Sequence, residues 1–352
     1  VHVGYEAAFQ HRGDYPDGLF IRQELEFCLR AESLGFESVW LTEHHFSNYG
    51  LIPDPFQALT YIASRTQHVK LGTAVIVLPW HDPVRVAEQV ILADHLSGGR
   101  MVIGLGRGLS KAEFEGLRVP QEQSRARFDE YAQLLMTALE TGVIEGGALT
   151  RQPRRELRPR PLASFSGRLF SASVSPDSGP LIARLGIAPM FIIVKPPELI
   201  QADLQRYRVA WREVNGAKRQ PPQPLLSAVV VVDPSADRAM EIATTHGRDS
   251  HRVAVEHYGM ADPDFGTVQG YEFYRQLRAA PVTVIDQPPP TVIHGTPDQV
   301  LARFDEYKRR LDMQGILVIF HGVPHEEGER SMQCFVRHCL PELKSWRATV
   351  SF

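Results

Sequence analysis

The chain has 352 residues, 43% of them hydrophobic and 22% charged, with a formal net charge of −3, an ordinary globular composition whose slightly acidic balance argues against a general nucleic-acid binder. No apolar run approaches the roughly eighteen residues that a membrane-crossing helix needs. The opening segment lacks the basic and apolar regions of a secretory signal, and three cysteines without C-x-x-C spacing carry no assigned chemistry, so a soluble cytoplasmic protein is expected.

In chain order, residues 1–8 form a first strand, and a helix over 19–34 stops at Gly35. Residues 37–46, ESVWLTEHHF, follow as a short buried strand that emerges polar at its C-terminal end. Alternation sends His44 to one side and Glu43 with His45 to the other. Asp54-Pro55 and Asp82-Pro83 each pair an N-cap with proline at the first helical position. Their helices lead into strands at 69–78 and 100–106. A helix over 127–141 precedes an Arg- and Pro-rich stretch, 145–167, which is predicted as a loop carrying a solvated charge run. Strands at 169–174, 190–194 and 225–232 then alternate with helices at 176–185, 197–214 and from Asp233-Pro234 to about His246. Residues 249–294, with Pro288-Pro289-Pro290, are predicted as a long irregular lid. Thr296-Pro297-Asp298-Gln299 is a capping box that opens the last helix of the alternation, ahead of a strand at 316–320. Eight strands alternating with helices predict a closed (β/α)8 TIM barrel in one domain over 1–352, with insertions near 145–168 and 249–294.

In such a barrel the residues just after each strand share one mouth. Glu43, His44 and His45 follow the second strand, Arg107 the fourth, and Ser175 and Ser178 the fifth. Ser175-Pro176-Asp177-Ser178 opens a helix, so its free N–H groups and hydroxyls outline an anion site that Arg107 would face. A plain N-cap serine and a rim arginine are the alternative. Gly104-Leu105-Gly106-Arg107-Gly108 resembles half of a dinucleotide fingerprint, but its third glycine is misplaced.

Several blocks carry a resemblance that covers nearly the whole chain: EHHF at 43–46, GTAVIVLPWHDPVRVAEQ at 72–89, LSGGR at 96–100, GLGRGLSKAEF at 104–114, SRARFDE at 124–130, GTPDQ at 295–299 and ERSMQCF at 329–335. The sequence resembles the bacterial luciferase-like flavin-dependent monooxygenases. The resemblance implies the same barrel with reduced FMN across its C-terminal mouth. It also implies a separate flavin reductase as partner, and oxygen added at flavin carbon 4a to give a peroxide that oxidises an aldehyde, ketone or similar substrate. His44 matches the catalytic histidine. Arg107, Arg125, Ser175 and Ser178 match positions that hold the flavin phosphate, and Ala74-Val75 matches an unusual non-proline cis peptide under the flavin ring. Glu113 matches an acidic position near the flavin, and Glu43 is placed with the same cofactor-binding set. Gly106 stands where luciferase-type subunits carry a cysteine, which counts against light emission, and Val174 replaces a glutamate whose main chain helps to bind the cofactor.

The same resemblance implies a homodimer through the helices after the second and third strands. Their apolar residues Phe56, Leu59, Ile62, Val86, Val90 and Ile91 exceed what one core-facing stripe requires, and His45 of one subunit would meet Glu88 of the other. Two other readings share the barrel: a deazaflavin-dependent hydride-transfer oxidoreductase, and a non-catalytic flavin-binding subunit. Retention of His44 counts against the second, since such subunits lack the first histidine of the pair. No metal is required.

Overall fold

Among the described residues eleven strands order the chain: β1 (His2–Ala7), β2 (Ser38–Leu41), β3 (Lys70–Val77), β4 (Met101–Gly106), β5 (Val143–Gly146), β6 (Gln152–Glu156), β7 (Leu169–Ala172), β8 (Ala188–Ile192), β9 (Leu225–Val232), β10 (Val292–Gly295) and β11 (Gly315–Ile319). The computed structural model describes residues 1–11, 13, 16–279, 288–289 and 291–348. Nine of these strands pair in parallel: eight, β1-β2-β3-β4-β7-β8-β9-β11, form a ring, and β10, which begins inside the stretch expected to be irregular, adds to β9 outside it. The ring closes where β8 meets β9 and where β11 returns to β1, with Met190 opposite Leu225 and Gly315 opposite His2. These are the eight strands predicted from the sequence, so the (β/α)8 barrel stands.

The helices begin where the sequence places their caps. The Asp54 side chain accepts from the Phe56 and Gln57 amides at the start of α2 (Pro55–Ala63), and Asp82 does the same for α3 (Pro83–Ser97). Helix α3 ends at Gly98, in the left-handed conformation with φ +69°. The first helix, α1 (Asp17–Arg30), stops four residues earlier than Gly35 suggests.

Three expectations are corrected. Part of the predicted loop at 145–167 is an antiparallel hairpin, with Val143 opposite Glu156 and Ile144 opposite Arg155. Because Ile144 alone of the hairpin residues is buried, no apolar alternation announced the two strands. Its arginines are solvated, with Arg154 paired to Glu145 and both Arg158 and Arg160 to Glu156. The helix expected to end at His246 runs on as α8 (Ala236–Tyr258), and a further helix spans Glu272–Ala279. Of the predicted lid, residues 280–287 and Pro290 lie outside the described residues. Finally, Phe56, Leu59, Ile62, Val86, Val90 and Ile91 are buried in the chain's own core. They are not surplus, because α2 and α3 pack on each other and α3 also packs on α5 (Ser124–Thr141).

What opens the cavity is the size of the inward-facing residues. Alternation along β2 sends Val39 and Leu41 into the core beneath the helices and Trp40 into the barrel, where it meets Val102, Phe170, Leu225 and Leu317. The indole fills the lower barrel so closely that a Cβ on Gly72 would lie 2.2 Å from it. Two residues further along the strands, the inward positions are small or polar: Glu6, Thr42, Ala74, Gly106, Ala172 and Ser227 all line open space. The barrel is therefore packed at the amino ends of its strands and hollow at the carboxyl ends.

Candidate active site

The hollow end is a cavity of ≈ 440 Å³, within the usual size range of small-molecule sites. Glu43, His44, Ala74, Val75, Gly106, Arg107, Glu113, Arg125, Val174, Ser175 and Ser178 all line it. The structure thus brings the whole set of expected site residues into one space, with the Ala74–Val75 peptide bond cis.

His44 stands just past β2, and Glu113 lies buried in the first turn of α4 (Lys111–Gly116). His44 Nδ1 is 3.3 Å from Glu113 Oε1, and the backbone N–H of His45 donates to the same oxygen at 2.8 Å. On the other side, His257 Nε2 from the last turn of α8 lies 3.4 Å from Glu113 Oε2. Burial alone would raise the Glu113 carboxyl, but hydrogen bonds from His257 and His44 outweigh it and bring the group down to about 2. A carboxylate only accepts, so the nitrogens facing it carry the protons. His44 then turns its other nitrogen, a lone-pair acceptor, away from Glu113. His257 Nδ1 accepts from the Ser47 hydroxyl at 2.6 Å. Burial holds the His44 imidazole below its ordinary range; Glu113 partly offsets this, and His257 reinforces it. Tyr49 stacks on His257 with ring centroids 4.7 Å apart, and both rings pack edge-on against His44.

Glu43 points away from this group, as alternation predicts. It accepts the Val77 amide at 2.6 Å on one oxygen, while His81 at 2.6 Å and His45 at 3.2 Å face the other. Burial opposes ionisation, yet these three contacts hold the Glu43 carboxyl below its usual range. The residue therefore ties the strand end bearing His44 to the end of β3, just beyond the cis peptide.

The opposite side of the mouth is built for an anion. Arg107 lies over the Tyr271 ring with its guanidinium carbon 4.0 Å from the centroid, and Nη2 donates to the Gly270 carbonyl at 2.7 Å. Its Nη1 is buried and finds no partner among the described residues. Arg125 also lines the cavity and, among the described residues, makes no salt bridge; burial and then the charge of Arg107 pull its pKa down. Ser175 and Ser178, at the start of α6 (Ser178–Leu185), hold each other's hydroxyls at 3.0 Å. Two guanidinium groups without a salt bridge among the described residues, beside two hydroxyls and a helix start, fit a phosphate. The Val174 carbonyl accepts from Lys195 at 2.7 Å. Gly106 is required by its neighbour, since a Cβ there would lie 2.2 Å from Val75 Cγ2.

His257 and Tyr258 fall in the stretch from 249 that the sequence reads as irregular, and the structure continues the helix through it. The signal was nonetheless present. Ala243, Gly247, Ser250 and Ala254 recur at spacings of four, three and four, one face of a continuing helix, and all of them line the cavity.

Comparison with known proteins agrees with this geometry. Residues 1–313 match the family described as luciferase-like monooxygenase. The 4-hydroxyprotoasukamycin monooxygenase of Streptomyces nodosus subsp. asukaensis is 34% identical over 51% of this chain and 49% of its own length. Limonene 1,2-monooxygenase of Rhodococcus erythropolis is 30% identical over 60% and 54%. The chain thus spans about half the length of these curated relatives. Among solved structures, monooxygenase RslO1 from Streptomyces bottropensis superposes with a TM-score of 0.76 at 25% identity, covering 97% of this chain and 100% of that one. Two more distant structures share the fold. The oxygenating constituent of 3,6-diketocamphane monooxygenase of Pseudomonas putida, solved with FMN, has a TM-score of 0.72 at 16% identity over 97% and 98% of the two chains. The coenzyme F420 dependent tetrahydromethanopterin reductase of Methanopyrus kandleri has 0.69 at 18% over 97% and 99%.

Proposed function

Because this chain belongs to the luciferase-like monooxygenase family, we propose that it is an FMN-dependent monooxygenase, taking reduced flavin from a separate reductase and using O2 to oxidise an aldehyde, ketone or similar small organic compound. The observation that carries a phosphate-bearing flavin is the anion cradle: the buried, unmatched Nη1 of Arg107 beside Arg125, Ser175 and Ser178. When bound, reduced FMN supplies the oxygen-activating chemistry, while the protein supplies orientation, a phosphate anchor and dryness.

The chain's own residues then divide the work. Arg107, Arg125, Ser175 and Ser178 hold the phosphate, with Val174 offering main chain alongside. Ala74, Val75 and Gly106, with the cis peptide, would form the floor for the flavin ring. His44, held in one tautomer by Glu113, takes or returns a proton at the nitrogen turned toward the cavity, and Glu43 fixes the strand end that carries it. His257 shares Glu113 and opposes protonation of His44. Removing that opposition in His257→Gln raises the His44 pKa, so the acidic limb of the pH–rate profile moves to higher pH. An unmoved limb, with activity merely scaled down, contradicts this role.

Equilibrium titration under anaerobic conditions tests the choice of cofactor: reduced FMN binds, and the reduced deazaflavin cofactor binds more weakly. The reverse order favours hydride transfer to or from deazaflavin. A homodimer through α2 and α3 belongs to the same reading. His45 faces Glu43, and Glu88 pairs with Arg85 at 2.7 Å, so within the chain both have partners. Tyr61, Leu92 and Leu96 carry the proposal instead, as large apolar side chains left exposed on those helices. Sedimentation is expected to give the mass of two chains, and a monomer removes the idea. No helix among the described residues is long and apolar enough to cross a membrane, which is compatible with work in the cytoplasm beside a reductase.

A further inference from the structure

The cavity has a second lobe on the far side of the barrel from the anion cradle, and its chemistry differs. The cradle belongs to the mouth of β4 and β7, whereas this lobe belongs to the adjacent strands β9, β11 and β1. Apolar residues such as Val229, Val231 and Ile319 make part of the wall. A site shaped for an unfunctionalised alkyl chain needs nothing else, since a buried polar group without a partner costs free energy. Here polar groups interrupt the wall. Ser227 donates to Glu6 Oε2 at 2.6 Å from the inward face of β9, and Glu6 and Ser227 both line the lobe. At the rim, Gln10 and Ser250 bond each other, Gln10 Nε2 to the Ser250 carbonyl at 3.0 Å and the Ser250 hydroxyl to Gln10 Oε1 at 2.5 Å. His321, two residues past β11, lines the same lobe with a buried Nδ1 that has no partner among the described residues.

We infer that this lobe binds a neutral substrate bearing a hydroxyl or carbonyl oxygen, with Glu6 and His321 as its hydrogen-bonding partners, and does not bind an unfunctionalised hydrocarbon. The proposal deepens the monooxygenase reading and rests on it for the identity of the occupant as substrate. Three observations make the oxygen-bearing ligand neutral. Burial pushes the Glu6 carboxyl up to about 7, with the Ser227 bond only partly offsetting it, so the acid form is populated at neutral pH. Burial also brings the His321 imidazole down to about 4, leaving it uncharged. And Ser227 already donates to Oε2, so an acid proton on the other oxygen is free to donate to a ligand carbonyl or hydroxyl oxygen. Glu6 and His321 thus offer neither a fixed cation nor a committed anion to pair with a carboxylate or an ammonium. The two lobes together then sort two molecules in one cavity, the flavin phosphate on the charged side and an oxygenated organic compound on the uncharged side.

The test uses 2-naphthol and naphthalene, which share a ring system and differ by one hydroxyl, titrated into the purified protein with and without FMN. Wild type is expected to bind 2-naphthol at least roughly ten-fold more tightly than naphthalene, the worth of one well-made buried hydrogen bond. In His321→Leu that preference falls to about two-fold or less, with FMN affinity unchanged. Glu6→Leu should do the same, and Glu6→Gln, which keeps a hydrogen-bonding side chain, should retain most of the preference. Equal affinity of wild type for the two probes, failure to bind either, or a preference that survives both leucine substitutions overturns the inference. The FMN titrations in the same proteins report separately on the cofactor, so a wild type that binds FMN but shows no naphthol preference defeats the substrate lobe alone.

Discussion

Replacing His44 with alanine is expected to lower product formation by at least about 100-fold, the lower end of what a positioned proton-transfer group contributes, while affinity for reduced FMN stays within several-fold of wild type. The separation follows from geometry. His44 follows β2, and its Nδ1 is committed to the Glu113 carboxylate at 3.3 Å. The anion cradle of Arg107, Ser175 and Ser178 follows β4 and β7 on the other side of the mouth. Losing the imidazole removes the group that exchanges a proton at the reacting end and leaves the phosphate anchor intact, so kcat falls and flavin binding does not. A variant that keeps near-normal turnover refutes the assignment. One that loses turnover and flavin binding together places His44 in the cofactor anchor.

The second large effect concerns Arg107. Arg107→Ala is expected to weaken FMN binding by roughly 10- to 100-fold, the equivalent of one or two charge-assisted hydrogen bonds to a phosphate, and to change riboflavin binding little. The comparison is needed because Arg107 does more than face the cavity. It also stacks on Tyr271 and donates to the Gly270 carbonyl, so its loss also loosens the chain that covers this side of the site. Loosening of that kind weakens both ligands alike, whereas loss of the phosphate contact weakens only the one that has a phosphate. Equal losses for the two ligands move the anchor elsewhere, with Arg125 the next residue to examine.

Much of the fold was legible because its signals are local. Most of the barrel strands are short apolar runs near Gly, Pro or capping residues, and Asp54-Pro55, Asp82-Pro83 and Thr296 through Gln299 mark helix starts whose side-chain caps the structure shows. The hairpin at 143–156 was hidden because it is held by backbone pairing over a solvated surface, which leaves no hydrophobic period. Helix α8 runs past the expected end at His246 through Gly247, a residue of low helix propensity. In the structure Gly247 lets Pro289 approach the helix, since a Cβ there would lie 2.9 Å from the proline ring. Glu43, His44, Arg107, Ser175 and Ser178 were legible from their places just after the strands, whereas Ala74, Val75, Gly106, Glu113, Arg125 and Val174 were legible only through resemblance. What no single stretch of sequence contains is that His44, from the end of β2, and His257, from the end of α8, close on the two oxygens of one carboxylate. That contact is made by the closure of the barrel, and it sets the tautomer on which the proposed proton transfer depends.

The most direct measurement is to saturate the protein anaerobically with reduced FMN, mix it rapidly with oxygenated buffer, and follow the return of oxidised flavin. A dry monooxygenase site holding the phosphate at Arg107 predicts tight binding of reduced FMN and reoxidation that passes through a slow phase absent from free reduced FMN. Reoxidation indistinguishable from that of free flavin, or tight binding of the reduced deazaflavin cofactor with no affinity for reduced FMN, contradicts it.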